Sequence, residues 1–381
     1  MRFVADALNL TPPAAKRLEE RNILRSAFIK HPFFPDIVEA LKLEKKFGEF
    51  EEGTLIVKTN HGLEIVRGYP KIRRALTLYP TLKRHFKGDV VIEEKMNGYN
   101  VRIVLFGNNL YAITRRGFIC PYTTEKAREL INESFFSDNP SLMLCCEAVG
   151  MESPYVMKDV YDVKGLDFFV FDVRDRRTNI PLPVEKKIKL SEEYDFKIAP
   201  VLKKCSVEKA HIECRNVIEE LGEGGREGVV IKDPEMVTSP VKYTASQSNT
   251  SDLSYAFRYF NDYGKDFMLS RIVREAFQSF EFGESVEELE KRCERLGRAI
   301  LKSMVESIEN VANGRKVTEK HRLRFRSEGV MYLFMQQIRK MGVEVIFHEP
   351  KFEKGYHVLE FERVLVSTTD KIRHHLEGNL W

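Results

Sequence analysis

Hydrophobic and polar positions alternate in short bursts through the middle of this chain. Val90-Val-Ile, Val101-Arg-Ile-Val-Leu-Phe, Leu110-Tyr-Ala-Ile-Thr, Leu142-Met-Leu-Cys-Cys-Glu, Asp167-Phe-Phe-Val-Phe-Asp and Gly228-Val-Val-Ile-Lys have strand length and strand composition, with turn residues between them. The pattern predicts only one or two helices within this stretch, chiefly over residues 124–135. Many strands with few long crossovers point to an antiparallel or mixed sheet, not a doubly wound parallel one.

Upstream, Thr11 as a cap and Pro12 at the first position predict a helix with Leu18, Ile23, Leu24, Phe28 and Ile29 on its apolar face, ended by Pro32 and Pro35. Residues 53–58 and 63–67 flank His61-Gly62 and read as a hairpin. Downstream, the polar run 245–252 reads as a linker and the aromatic-rich run 254–280 as helix. Ser285 and Glu288 form a capping box, followed by Leu289, Cys293, Leu296, Ile300, Met304 and Ile308 on one helical stripe as far as Asn313-Gly314. A last unit combines a helix through Leu333 and Ile338, strands near 343–347 and 357–366, and a closing helix from Thr369. The expectation is an α+β protein in four parts: an N-terminal module (1–62), an antiparallel-sheet core (63–244), a helical module (245–315) and a small C-terminal α/β module (316–381).

The 381 residues suffice for several domains. No apolar run approaches the roughly 18 residues of a membrane span, and the first six residues lack a secretory pattern, so neither a membrane nor an export route is expected. Basic and acidic residues number 61 and 57, a net +4, so global charge demands no polyanionic partner and leaves room for a local basic groove. The six cysteines form no Cys-x-x-Cys pair, and His348, His357, His374 and His375 lack zinc spacing. A reducing cytoplasm fits this cysteine usage.

The most informative segment is Val91-Ile-Glu-Glu-Lys95-Met-Asn-Gly98-Tyr-Asn100-Val-Arg102. It sets one lysine at a strand end, directly before a glycine turn. Alone, Asn97-Gly98 also reads as a hairpin turn and Glu94-Lys95 as an exposed charge pair. Five further pieces follow in order: Thr114-Arg115-Arg116-Gly117, Cys146-Glu147-Ala-Val-Gly150, Phe168-Phe169-Val170-Phe171-Asp172-Val173, Glu227-Gly228-Val-Val-Ile-Lys232 and Pro240-Val241-Lys242-Tyr243.

This series resembles the motifs of the covalent nucleotidyltransferases: ATP-dependent DNA and RNA ligases and mRNA capping enzymes. The resemblance covers roughly residues 65–244. The flanking parts are similar to one branch, the archaeal homodimeric RNA ligases that can circularise RNA. The resemblance implies ATP and Mg2+ (or Mn2+) as cofactors, and RNA 5′-phosphate and 3′-hydroxyl ends as partners. It implies Lys95 as the nucleophile that becomes lysyl-AMP, with Glu227 and Lys242 as further catalytic residues. Glu94, Asn100, Arg115, Glu147, Phe171, Lys232 and Lys242 are the implied nucleotide contacts, with Phe168 and Phe169 as alternatives for the adenine face and Arg116 a weaker candidate than Arg115. Glu227 and Glu147 are the implied metal ligands. An ordinary lysine amine is protonated at neutral pH and needs neighbours that release its lone pair.

Asn97 and Asn100 stand where DNA ligases typically carry aspartate and arginine, which favours RNA. The last motif lacks the usual lysine–x–lysine, because Lys242 precedes Tyr243 and Thr244, so Lys232 or an arginine is expected to supply the second cation. The basic run 67–74, with Lys83, Arg84, His85 and Lys87, fits an RNA path, a phosphate contact or a solvated face. Tyr255, Phe257, Tyr259, Phe260, Tyr263 and Phe267 fit a subunit interface or a domain core, and a homodimer through residues 252–311 is expected. A DNA ligase, a GTP-dependent capping-type enzyme and a non-catalytic RNA-binding protein on the same fold remain the alternatives.

Overall fold

Among the residues described by this computed structural model, 2–157 and 160–380, the strands form four sheets. Met1, at the start of the run read for an export signal, lies outside them. The first sheet is a four-stranded antiparallel meander, Leu24–Ser26, Ile37–Leu43, Leu55–Thr59 and Gly62–Val66. The second is antiparallel, in the order Asp167–Asp175, Leu142–Val149, Tyr99–Phe106, Asn109–Thr114. The third runs Val201–Ser206, Asp89–Glu94, Gly228–Lys232, Val241–Thr244 and Arg73–Arg74, antiparallel except for the last pair. The fourth joins Thr318–Phe325, Tyr356–Val364 and Val345–Phe347, with Lys351–Glu353 added to the long strand. The α+β, antiparallel expectation holds.

The second sheet is the hub. One face packs Val104, Tyr111 and Ile113 against the first sheet. The other packs Val101, Ile103 and Phe168 with Phe325, Phe334 and Phe361 of the C-terminal unit. Arg102 is fully buried and donates to the backbone carbonyls of Gly53 (3.0 Å) and Thr114 (2.8 Å), tying the first sheet to the second.

Several expected elements differ. The first long helix is two short ones, Arg2–Leu8 and Pro12–Glu20, and Leu24 begins a strand. Asn22 adopts φ 55°, which reverses the chain so that Leu24 pairs with Leu43. The helices Val184–Tyr194 and Val207–Glu223 add to Pro121–Leu130 and Ser134–Asp138, so the core is not poor in helix. Lys187 sits on the buried stripe of the first and hides its period, whereas Ala210, Cys214, Val217 and Ile218 carried a readable helical period in the second. The 245–252 linker is the start of the helix Ser246–Arg258. Its polar residues are the buried face: Asn249 donates to Glu275 Oε1 at 2.8 Å, and Ser246 receives Arg292 at 2.9 Å.

Candidate active site

Asp89–Glu94 and Tyr99–Phe106 belong to different sheets, so residues 95–98 carry the chain between sheets and close no hairpin. This places Lys95 at the seam. Its backbone N–H donates to Gly228 O at 2.8 Å, and its Nζ lies 2.6 Å from Glu227 Oε2. Gly98 is required by close approach: a Cβ there would meet Ala148 O at 2.1 Å. Gly228 has φ 137°, and a Cβ would meet Tyr243 O at 2.3 Å. Glycine therefore lets the strand that follows Glu227 lie close beside the Lys242 strand.

A cleft of ≈ 520 Å³ opens over this seam. Lys95, Glu94, Asn100, Arg115, Glu147, Phe171, Lys232 and Lys242 all line it. Glu227 reaches it through its ion pair with Lys95. Glu147 faces Asn100 across the strand pair and accepts from Gly98 N–H at 3.2 Å, so it holds the turn that carries Lys95. Phe171 falls at a register shift between Val170 and Asp172, and this bulge turns its ring into the cleft. Tyr69 meets Phe171 edge to face at 5.0 Å. The two alternatives do not line the cleft: Phe168 is in the core and Phe169 packs beside Met96 and Val149. Arg115 reaches the cleft, whereas Arg116 does not. Glu94 is buried and pairs with Arg226 at 2.8 Å, so it is not an exposed partner of Lys95.

Beneath the cleft lies a buried charge network. Lys232 Nζ contacts Asp172 at 2.8 Å, Glu93 at 2.8 Å and Phe171 O at 2.6 Å. Lys187 binds the other oxygen of Glu93 at 2.6 Å, while Asp172 also takes Tyr69 Oη at 2.6 Å and Arg174 at 3.1 Å. Lys232 thus floors the cleft with its charge already balanced by two carboxylates. Among the described residues, Lys242, Lys71 and Arg115 line the cleft with no carboxylate ion pair. Arg74 stands directly beside Lys242 in strand register and adds the neighbouring positive charge that the last motif lacks.

Burial drives the titration of two cleft groups. Glu147 is pushed up to about 7 by desolvation, with Lys95 opposing and Glu227 adding to the rise. Lys242 is pulled down to about 8 by desolvation, then by Arg74 and Lys95. The carboxylates of Glu147 and Glu227 therefore both act on the lysine amine, and repel each other, in a partly dry site. Among the described residues no three His, Cys, Asp or Glu side chains form a metal cluster. A pair of repelling carboxylates suits magnesium, which takes one or two protein carboxylates and completes its shell with water and substrate phosphates. The residues present fit such an ion.

Tyr69, Lys71, Ile72 and Glu52 also line the cleft and were not singled out as site residues. The basic segment 67–74 was the available signal. It lacked a spacing that distinguishes a cleft wall from a solvated face.

Two family models match the chain: "RNA ligase" over residues 88–244 and "Ligase Pab1020 C-terminal region" over residues 255–379. An uncharacterised protein of Methanocaldococcus jannaschii is 41% identical over 386 residues, covering 99% of this chain and 96% of that protein. Two solved structures named archaeal ATP-dependent RNA ligase, form 1 and form 2, are 38% and 36% identical, with TM-scores of 0.89 and 0.92. Form 1 is matched over 96% of both chains and form 2 over 100% of both. A chain from Aquifex aeolicus, provisionally named an ATP-dependent DNA ligase, is 28% identical with a TM-score of 0.89, over 97% of this chain and 100% of its own.

Proposed function

The chain belongs to the archaeal ATP-dependent RNA ligases, and from that membership we propose that it seals RNA ends through a covalent lysyl-AMP on Lys95. The observation that carries the mechanism is the Lys95 amine, 2.6 Å from Glu227, at the floor of a cleft that also presents Glu147, Asn100, Phe171 and Lys242. Lys95 Nζ attacks the α-phosphorus of ATP; the P–N bond forms as the bond to pyrophosphate breaks. The AMP then passes to an oxygen of the RNA 5′-phosphate, which frees the lysine. Last, the RNA 3′-hydroxyl attacks that phosphate and AMP leaves.

Glu227 orients the amine and takes up its proton through the 2.6 Å contact. Phe171 offers its ring to adenine, with Tyr69 buttressing it. Lys242 and Arg115, backed by Arg74, balance the phosphate charge, and Glu94 and Asn100 contribute polar contacts to the nucleotide. A magnesium or manganese ion held by Glu227 and Glu147 would draw charge from the phosphate oxygens. Such transfers need positioning and charge neutralisation more than covalent help, and the cleft supplies both.

Purified protein incubated with α-labelled ATP or GTP, then run on a denaturing gel, tests the reading. A band with ATP, together with sealing of 5′-phosphorylated RNA in preference to nicked DNA, supports it. A band with GTP alone points to a capping-type enzyme, and RNA binding with no band to a non-catalytic protein. Joining the ends of one single strand is part of the proposal, read as an exonuclease-resistant circle.

The same gel across pH gives a bell at limiting ATP. Labelling rises as Glu147, held neutral by its raised pKa, ionises through about 7. It falls as Lys242 sheds its proton through about 8. Lys242→Arg is expected to remove the alkaline limb and spare the acid one. A variant profile that superposes on the wild type would overturn this assignment.

A homodimer is also proposed, supported by the long helix Val286–Ala312. Its buried face is polar, with Ser303 bonding Ser254 at 2.6 Å, while Leu301, Val305 and Val286 are 66%, 50% and 79% exposed. The aromatic set is used within the chain: Tyr259 packs with Val317 and Leu365, and Phe257 and Phe267 with Leu253. The apolar stripe, not those rings, is the surface left for a second copy. Light scattering should give twice the 44.3 kDa chain mass, and Leu301→Glu with Val305→Glu should give one.

No helix among the described residues is long and apolar enough to cross a membrane. The proposal places the protein in the cytoplasm, where its unpaired thiols stay reduced.

A further inference from the structure

A second cleft, ≈ 720 Å³, adjoins the first and shares Asn100 and Arg115 with it. Three parts of the chain build it. Arg25 comes from the first sheet, Arg116 from the turn after Asn109–Thr114, and Gln337 and Lys340 from the end of the helix Glu328–Lys340. Its acidic residue, Glu44, is tied to Lys42, whereas Arg25, Arg115, Arg116 and Lys340 have no carboxylate partner among the described residues. The cleft therefore carries unbalanced positive charge.

It also carries unused acceptors. Gln337 is 0% exposed, yet its Oε1 has no hydrogen-bond partner. Its Nε2 donates to Tyr155 Oη at 3.2 Å, and Tyr155 gives its own proton to Cys120 Sγ at 3.4 Å. The same Nε2 lies 3.8 Å from Met341 Sδ, which can only accept, so the nitrogen is the end held by the protein and the carbonyl oxygen is the orphan. Asn100 Oδ1, on the wall between the clefts, is buried and unpartnered too. Buried acceptors are rarely left empty, so an occupant that donates to them is called for. A fully ionised phosphate satisfies the arginines and not these acceptors. A ribonucleotide, with hydroxyls beside its phosphate, satisfies both.

We propose that this cleft seats the terminal ribonucleotide of the RNA end being joined, with the Gln337 side chain, closed off in the free protein, turning so that its Oε1 accepts a hydrogen bond from the ribose 2′-hydroxyl. Arg25, Arg116 and Lys340 hold the adjoining phosphates. Asn100 and Arg115 then link the RNA end to the ATP cleft, so the C-terminal unit selects ribose at the joint. This inference rests on the RNA-ligase reading. The 2′-hydroxyl is the group by which a protein separates RNA from DNA at a given site.

The test uses RNA strands with one 2′-deoxy substitution, at the 5′-terminal or the 3′-terminal nucleotide, sealed by the full-length protein and by Gln337→Met. The wild type should seal one of the two deoxy strands roughly tenfold more slowly than all-ribose RNA, as expected for one bond to a buried acceptor. The end showing the deficit identifies the seated strand. Gln337→Met should seal both alike. No deficit at either end in the wild type, or an undiminished deficit in Gln337→Met, overturns the proposal. AMP labelling of the same preparations uses no RNA. A wild type that takes no label sinks the ligase reading itself. Should Gln337→Met fail to label, exposed Lys340→Gln decides instead: it must weaken RNA binding severalfold, and unaltered binding overturns the proposal.

Discussion

Lys95→Ala is expected to abolish AMP labelling, a loss on the order of 10⁴-fold or more, because the group that forms the covalent bond is gone. Two other lysines at the cleft do not substitute. Lys232 Nζ is held by Asp172, Glu93 and Phe171 O, and Lys242 lies across the sheet from the turn. Lys95 is aimed by its own backbone bond to Gly228 and by Glu227. Its side chain and that of Glu227 are only 18% and 15% exposed, so removing Lys95 leaves Glu227 without its cation in a mostly buried place, a loss of roughly 1–3 kcal/mol. The variant should melt somewhat below the wild type and is labelled at a temperature where circular dichroism shows it folded. Intact-mass and peptide mapping after incubation with ATP is the measurement. An adduct of AMP mass in Lys95→Ala, on any lysine, would show that the nucleophile lies elsewhere.

Asp172→Asn should have the largest effect on stability. Asp172 joins Lys232, Arg174 and Tyr69 in a region with almost no solvent. Burial alone would raise its pKa, but Lys232 and Arg174 hold it below the ordinary carboxylate value. A depressed carboxylate contributes stability that is present above its unfolded pKa, near 3.9, and is lost as pH falls through the folded value. Replacing it with a neutral amide leaves two buried cations short of charge, a loss of roughly 3–5 kcal/mol. The network also fixes Phe171 through its carbonyl and Tyr69 through its hydroxyl, so KM for ATP should rise with the instability. Guanidinium unfolding at neutral pH reads the first effect and labelling at graded ATP the second. A midpoint change equivalent to less than about 1 kcal/mol, with KM unchanged, would mean the network is dispensable.

Much of the site was legible because strand ends and glycine turns are local. Residues 91–98 set a lysine before a tight turn, and residues 227–232 set a carboxylate at a strand start; both are short-range facts. The contact between them is not. Lys95 meets Glu227 only because Asp89–Glu94 pairs with Gly228–Lys232, more than a hundred residues away. The hairpin reading of Asn97-Gly98 was wrong for the same reason: turn chemistry specifies a tight bend, and sheet membership decides what the bend connects. Lys232 read simply as a cation, because its two carboxylate partners lie on other strands. The helix starting at Ser246 read as a linker because its buried side is polar, and polarity signals exposure only when no partner such as Glu275 waits inside.

The sequence by itself determined the strand-rich core, the order of its motifs, the lysine before the glycine turn and the family these imply, since period, turn residues and spacing are properties of the chain alone. Tertiary structure decided the rest. It turned Phe171 into the cleft through a bulge, set Arg74 beside Lys242, neutralised Lys232, left the long helix with an exposed apolar stripe, and brought Gln337 from the C-terminal unit to the adjoining cleft. Each of these depends on strand register or on packing between distant segments. Such contacts are fixed by the burial and charge balance of the whole fold, which no local window of sequence contains.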